Sequence, residues 1–244
     1  MCWRAHVGSE FTTRGPRDFF RWSRGTVLVV GSSTTGWLAL HGGSGWLTDH
    51  ETARLVLGAI TTLVVVPTAA AFEGPGDAVE SAVSWFEPLG VTVRQCPILT
   101  RHDASDPTRI AELNDAEALL FTGGQPLHLR SVLTESPAWN AVVAAFNRGV
   151  PIIAEGATAS AFGDPMLDPR GGAFTLGLGL VTGLAVLPEC DTWSADRRSR
   201  TMRLATNADL ALVPSTTTLL RSPSGEWSSR GRAEATFVAA RARS

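Results

Sequence analysis

The sequence predicts an α/β protein, a three-layer sandwich with a central, mostly parallel sheet and helices on both faces. Two observations predict it. Between about residues 37 and 165, apolar runs alternate with amphipathic segments, and the links between them are short. Runs such as Thr61–Ala70 and Pro151–Ala154 are apolar without alternation, as strands covered on both faces are.

The elements follow in order along the chain. Strands are expected within residues 36–43, 61–70, 91–99, 117–124 and 150–156. Helices are expected within residues 49–59, 76–90 and 106–115, with one or two more in 126–149. Asp106-Pro107 is an acidic cap followed by proline at the first helical position, which marks a helix start.

The regular alternation of predicted strands and helices ends at about Pro165. Residues 166–194 are rich in glycine and have β-type runs, and residues 195–205 are expected to form a basic helix. Residues 208–229 read as a strand followed by a hairpin that turns at Ser224-Gly225, and the tail offers one edge strand. We therefore expect one domain over residues 26–240, with a short strand at 26–30, behind a poorly ordered leader at 1–25.

Composition excludes several classes of protein. A net charge of -2 does not favour a nucleic-acid surface. Apolar runs stay shorter than the roughly 18 residues that a membrane span requires. Three widely spaced cysteines indicate neither a disulfide framework nor a metal site, so a cytoplasmic protein without metal or cofactor is expected.

The segment Pro151–Pro165 has the outline of a nucleophile elbow. An apolar strand runs into small residues, as a strained turn between strand and helix requires. Counting Gly156 as the first spacer places Thr158 at the tip, and Ser160 would serve if the turn were re-registered. The alternative is a small-residue turn that only permits close packing of strand and helix.

A hydroxyl nucleophile needs an aligned base. Of the five histidines, His128 follows a predicted strand end, and His41 lies at the end of the first strand. Either ring could instead be structural. Cys190 lacks an elbow and a nearby histidine, which favours a buried thiol. Glu189 and Asp191, on either side of it, are orienting carboxylates or loop charges.

Several motifs together resemble a known family. They are LALHGGSGW (38–46), FTGGQPLHLRSVL (121–133), DPRGGAFTLGLGLV (168–181) and LPECDTWSADRRSR (187–200). In this order they resemble the cyanophycinase and aspartyl-dipeptidase family of serine peptidases, and most closely an actinobacterial cyanophycinase-like branch. The resemblance implies the class I glutamine amidotransferase-like fold, with flavodoxin-like topology.

The resemblance also implies a Ser–His–acid triad, from which this chain departs. The serine slot holds Thr158, or Ala157 after a shift of one residue, and the segment expected to carry the histidine, Leu187–Trp193, has none. We therefore expect an inactive or strongly impaired peptidase that retains a cleft for a small acidic peptide or metabolite. Arg170 and His128 are the candidates to bind its carboxylate.

The residues expected to line that cleft come from three loops and from the segment Leu187–Trp193. They are Gly123, Gly124, Gln125, Gly156, Ala157, Arg170, Cys190 and Asp191. Two alternatives stay open: a working hydrolase that uses Thr158 or Ser160 with a relocated His128 or His41, and a subunit whose role lies in homodimer contacts.

Overall fold

A computed structural model describes residues 35–240 of the chain. The expected leader, residues 1–25, and the strand expected at 26–30 lie outside the described residues.

A seven-stranded sheet organises the described part of the chain. Its order is β13-β12-β1-β5-β4-β2-β3. Five strands run parallel, namely β1 (Leu38–His41), β2 (Thr62–Val66), β3 (Thr92–Gln95), β4 (Leu119–Phe121) and β5 (Ile152–Glu155). Two antiparallel strands, β12 (Thr217–Arg221) and β13 (Trp227–Gly231), extend the β1 edge as a hairpin. The mostly parallel sheet and the predicted hairpin are confirmed.

Helices cover both faces of this sheet, which makes the three layers. They are α1 (His50–Leu57), α2 (Pro75–Phe86), α3 (Pro107–Asn114), α4 (Pro126–Leu133) and α5 (Pro137–Asn147). A sixth helix, α6 (Ala195–Leu204), packs through Met202 in a separate, smaller core. The segment predicted as one or two helices forms two, because Pro137 starts α5 behind the cap Ser136, whose hydroxyl accepts from the Trp139 N–H.

Alternate residues of the parallel strands pack in two separate hydrophobic cores, one on each face of the sheet. In β5, Ile152 and Ala154 pack in the core that includes residues of α3, α4 and α5, whereas Ile153 packs in the core that includes residues of α1 and α2. A strand buried on both faces needs apolar residues at every position, which is why Ile152–Ala154 shows no alternation. The first position of β5 that breaks the apolar run is Glu155, at its carboxyl end.

The residues after β5 form smaller units beside the main sheet. The chain enters a 3-10 helix, Gly156–Phe162, and then the short strands β6 (Gly163–Asp164), β7 (Met166–Leu167), β8 (Phe174–Thr175) and β9 (Val181–Thr182). A second sheet joins β10 (Leu184–Pro188), β11 (Asp209–Val213) and β14 (Thr236–Val238). The predicted edge strand near the tail is β14, which pairs antiparallel with β11.

Two features are absent from residues 35–240. Within that range, no helix combines the length and the apolar character that crossing a membrane requires. The same residues include no group of three His, Cys, Asp or Glu side chains placed to hold a metal ion.

Candidate active-site cleft

A cleft of about 520 Å³ lies where the parallel strands end. Strand β5 stands between β1 and β4, so the loops that leave these three strands meet at one edge of the sheet. Open α/β sheets bind their ligands at this edge. The lining residues are Ser44, Trp46, Ala70, Glu73, Gly74, Asp77, Ala78, Ser81, Gly123, Gly124, Gln125, Glu155, Gly156, Ala157 and Glu189.

A second groove lies away from these strand ends. It encloses about 360 Å³ and is lined partly by the apolar side chains Phe174, Leu176 and Leu204. Because none of its lining residues belongs to the parallel strands or to the loops that leave them, we place the candidate site in the first cleft.

The tip of the turn after β5 is Gly156, not Thr158. Gly156 follows the last residue of β5 directly and has φ of 55°, the left-handed conformation that only glycine adopts without penalty. A Cβ built on Gly156 would lie 3.4 Å from the carbonyl oxygen of Gly43, so the space would admit a side chain. The residue at the tip of this turn therefore carries no side chain.

Both candidate hydroxyls lie in the 3-10 helix behind that tip. Thr158 has no exposed surface, and its Oγ1 has no hydrogen-bond partner. Ser160 is also buried, and its Oγ donates to the carbonyl oxygen of Ala157 at 2.7 Å. The interior of the protein thus surrounds both hydroxyls, and neither lines the cleft.

The two candidate bases have other contacts. Nε2 of His128 lies 2.9 Å from the carbonyl oxygen of Leu99, so this nitrogen carries the proton and donates it, and the ring packs edge-on against Phe72. His41 is buried, and its Nδ1 lies 2.9 Å from Oγ1 of Thr218. Burial lowers the pKa of His41 to about 4, which makes the ring a weak base.

Three further expected site residues lie outside the cleft lining. Arg170 is largely exposed and binds its neighbour Asp168 through Nε at 3.0 Å and Nη2 at 2.7 Å. Cys190 is buried, and burial raises the pKa of its thiol. Asp191 accepts hydrogen bonds from the N–H and the hydroxyl of Ser215, so this carboxylate fixes a loop.

The loop after β4 does line the cleft, as the sequence predicts. Gly124 has φ of 126°, and a Cβ there would lie 2.4 Å from the carbonyl oxygen of Ala69. The N–H of Gln125 donates to the same oxygen at 2.8 Å, and the Gln125 side-chain amide donates to Glu73. The second glycine therefore permits the close approach of two backbone segments.

Glu155 is the cleft residue with the most specific contacts. One carboxylate oxygen, Oε1, accepts the N–H of Gly45 at 2.9 Å, and the other, Oε2, accepts the N–H of Gly123 at 2.8 Å. These donors belong to the loops after β1 and β4, the two neighbours of β5. The carboxylate thus joins three strand ends.

The cleft is strongly acidic. Glu73, Asp77, Glu155 and Glu189 line it, and the described lining includes no arginine or histidine. Burial raises the pKa of Glu155 against the effect of its two N–H donors, and the negative charge of Glu189 raises it further. Burial and the charge of Asp191 raise the pKa of Glu189. Both shifts reflect the cost of holding negative charge in this cleft.

Glu189 also has an unusual backbone. Its φ is 50°, a left-handed conformation that costs a non-glycine residue about 1 kcal/mol or more. Its N–H donates to the carbonyl oxygen of Gly42 at 2.8 Å and ties the segment after β10 to the loop after β1. This contact holds the Glu189 carboxylate at the cleft wall.

Sequence reasoning found the loops of this site but missed most of its charges. Of the four lining carboxylates, only Glu189 is a candidate from the sequence. Glu73 and Asp77 belong to a segment far from it in the chain, so no local motif unites them with Glu189. Glu155 did leave a signal, because it is a carboxylate at the end of a fully apolar strand, directly before glycine.

The strands and loops that form the cleft lie within a region that matches a known protein family. A profile of peptidase family S51 matches residues 40–208, which is most of the chain and spans every loop of the cleft. The chain belongs to peptidase family S51. Its match confirms the resemblance drawn from the motifs.

Solved structures share the fold of this S51 chain. A peptidase from an acI-B1 Actinobacterium is similar with a TM-score of 0.70 and 20% identity, covering 87% of this chain and 98% of the other. A putative peptidase E protein from Listeria monocytogenes EGD-e is similar with a TM-score of 0.58 and 16% identity, covering 84% and 98%. None of the curated proteins matches the chain.

Proposed function

We propose that this S51 family member binds a small ligand carrying a positively charged group and does not hydrolyse peptides through a serine or threonine nucleophile. One observation carries the proposal: glycine occupies the tip of the turn, where a nucleophile would have to project. The neighbouring hydroxyls of Thr158 and Ser160 are buried.

A relocated catalytic pair finds no support. The Thr158 hydroxyl has no partner, and the Ser160 hydroxyl donates to a backbone oxygen. His128 and His41 are hydrogen-bonded to Leu99 and Thr218, respectively. A hydroxyl without an aligned base attacks slowly, and loss of triad members typically costs several orders of magnitude in rate.

The charge of the cleft favours a cation over the acidic ligand that the sequence suggests. That expectation depended on Arg170 and His128, and neither lines the cleft. Four carboxylates line it instead, and a guanidinium or ammonium group would relieve their mutual repulsion. The chemistry that fits is therefore a small basic molecule or a peptide with a basic group.

Hydrolysis is tested first, with the purified chain incubated with aspartyl dipeptides and β-aspartyl-arginine. We expect product formation no faster than in buffer, both for the wild type and for Thr158→Ala and Ser160→Ala variants whose folding is checked by circular dichroism. Wild-type turnover that either substitution abolishes would overturn the proposal.

Binding is tested by calorimetry with agmatine, a guanidinium compound without a carboxylate, against N-acetyl-aspartate. We expect agmatine to bind, with an affinity that falls as salt rises, and N-acetyl-aspartate not to bind. Glu189→Gln should weaken agmatine binding roughly 3- to 10-fold, about 1 kcal/mol. Glu80→Gln, which neutralises an exposed carboxylate outside the cleft, should change nothing. Binding of the acidic probe alone contradicts the proposal.

A further inference from the structure

The carboxylate of Glu155 occupies an anion-binding site that the protein backbone forms. Two backbone N–H groups, from Gly45 and Gly123, each bind one oxygen of the same carboxylate, at 2.9 and 2.8 Å. Charge-assisted bonds of this kind are among the stronger hydrogen bonds in proteins. A pair of N–H groups that converge on two oxygens of one group also suits the carboxylate of a small free acid.

The two N–H donors lie outside the strands, so they are not part of the hydrogen bonding between strands. Gly45 and Gly123 lie in loops beyond the ends of β1 and β4, and both loops border the cleft. A Cβ on Gly123 would lie 3.2 Å from Oε2 of Glu155, so glycine there leaves room for the oxygen. The loop backbone therefore fits the carboxylate closely.

We propose that Glu155 is a built-in occupant of a backbone carboxylate-binding site, and that it excludes the carboxylates of free ligands from the turn tip. The side chain supplies in cis the group that a free acid would bring, at a high effective concentration. It thereby selects against acidic ligands, whichever other ligand the cleft binds. The inference rests on these hydrogen bonds alone and does not depend on the function proposed above.

Chemical complementation tests the proposal. Glu155→Ala empties the site in the full chain, and its thermal unfolding is followed with sodium acetate and with sodium chloride at equal ionic strength. We expect 100 mM acetate to raise the Tm of the variant by roughly 2–4 °C more than chloride does, and to leave the wild type unchanged.

Glu189→Ala is the matched control, because it also removes a carboxylate from the cleft wall but leaves the Gly45 and Gly123 donors occupied. It should show no acetate-specific rise. An equal rise for both variants, or a folded Glu155→Ala that acetate does not stabilise, overturns the proposal.

A readout on the wild type covers the case in which Glu155→Ala does not fold. In ¹H–¹⁵N spectra recorded over a pH series, the amide protons of Gly45 and Gly123 should shift upfield together with one midpoint as their shared acceptor is protonated. Two different midpoints, or no shift at either amide, contradict a shared carboxylate. An agmatine titration that fails would refute the proposed function and leave this result unaffected.

Discussion

Gly156 holds the left-handed tip of the turn after β5, and Thr158, two residues further on, lies fully buried with a hydroxyl that has no partner. The position that faces the cleft has no side chain, and the nearby hydroxyl faces the interior. The turn therefore has the outline of a nucleophile elbow but no side chain at its tip. It also makes the hydroxyl of Thr158 a cost to stability.

Replacing that threonine by its apolar isostere should therefore stabilise the protein. Thr158→Val removes a buried, unpaired hydroxyl at nearly constant volume, and we expect a gain of about 1 kcal/mol in the free energy of unfolding. Urea denaturation measures it. The matched control is Thr68→Val, which should cost about 1 kcal/mol, because the buried Thr68 hydroxyl donates to the carbonyl oxygen of Ile98 at 2.6 Å. A loss for Thr158→Val would mean that its hydroxyl has a partner.

Gly124 should tolerate alanine far less well than another left-handed glycine. A Cβ at Gly124 would lie 2.4 Å from the backbone oxygen of Ala69, whereas a Cβ at Gly58, with φ of 60°, meets nothing within 4 Å. We expect Gly58→Ala to cost about 1 kcal/mol for its backbone conformation alone. Gly124→Ala should cost about 3 kcal/mol, because the loop must also move. Urea denaturation measures both losses in the free energy of unfolding. Equal losses would show that the loop after β4 moves without an energetic cost.

The sequence predicts the scaffold well because its signals are local. The apolar run in β2 and the Asp106-Pro107 start of α3 each specify an element with residues that are adjacent in the chain. The register of the turn is different. Counting spacers from Gly156 places Thr158 at the tip. The chain, however, has its left-handed residue directly after β5, and Gly156 is the residue there that adopts this conformation without penalty. The acidic cleft escaped prediction because its carboxylates meet only in the folded chain.

Stability should fall as the pH drops from about 6.5 to about 4 because of His41. Burial lowers its pKa from the ordinary 6.5 to about 4, so in this window the unfolded chain binds a proton that the folded protein does not. The contribution of His41 to stability is fully present above pH 6.5 and declines as the pH falls from 6.5 to about 4. Below about pH 4, the pKa of His41 in the folded protein, it is lost. It amounts to at most about 3 kcal/mol. Urea denaturation at several pH values should give a shallower decline for His41→Asn than for the wild type. Parallel curves for the two proteins would show that His41 titrates normally.

Glu189 should act on stability with the opposite sign. Burial and the charge of Asp191 raise its pKa above the ordinary 4.5, so the folded protein holds the proton more tightly than the unfolded chain does. Its favourable contribution is present below 4.5 and is lost as the pH rises through the folded value, which leaves a penalty at neutral pH. Glu189→Gln removes this penalty.

We therefore expect Glu189→Gln to be more stable than the wild type at pH 7, by no more than about 0.5 kcal/mol because solvent screens a partly exposed group. The difference should shrink below pH 4.5. Glu80→Gln serves as the control for loss of one negative charge, since Glu80 is exposed on α2 and outside the cleft lining. A destabilised Glu189→Gln at pH 7 would show that the carboxylate has a favourable partner, and the acidic cleft would then lose its argument for binding a cation.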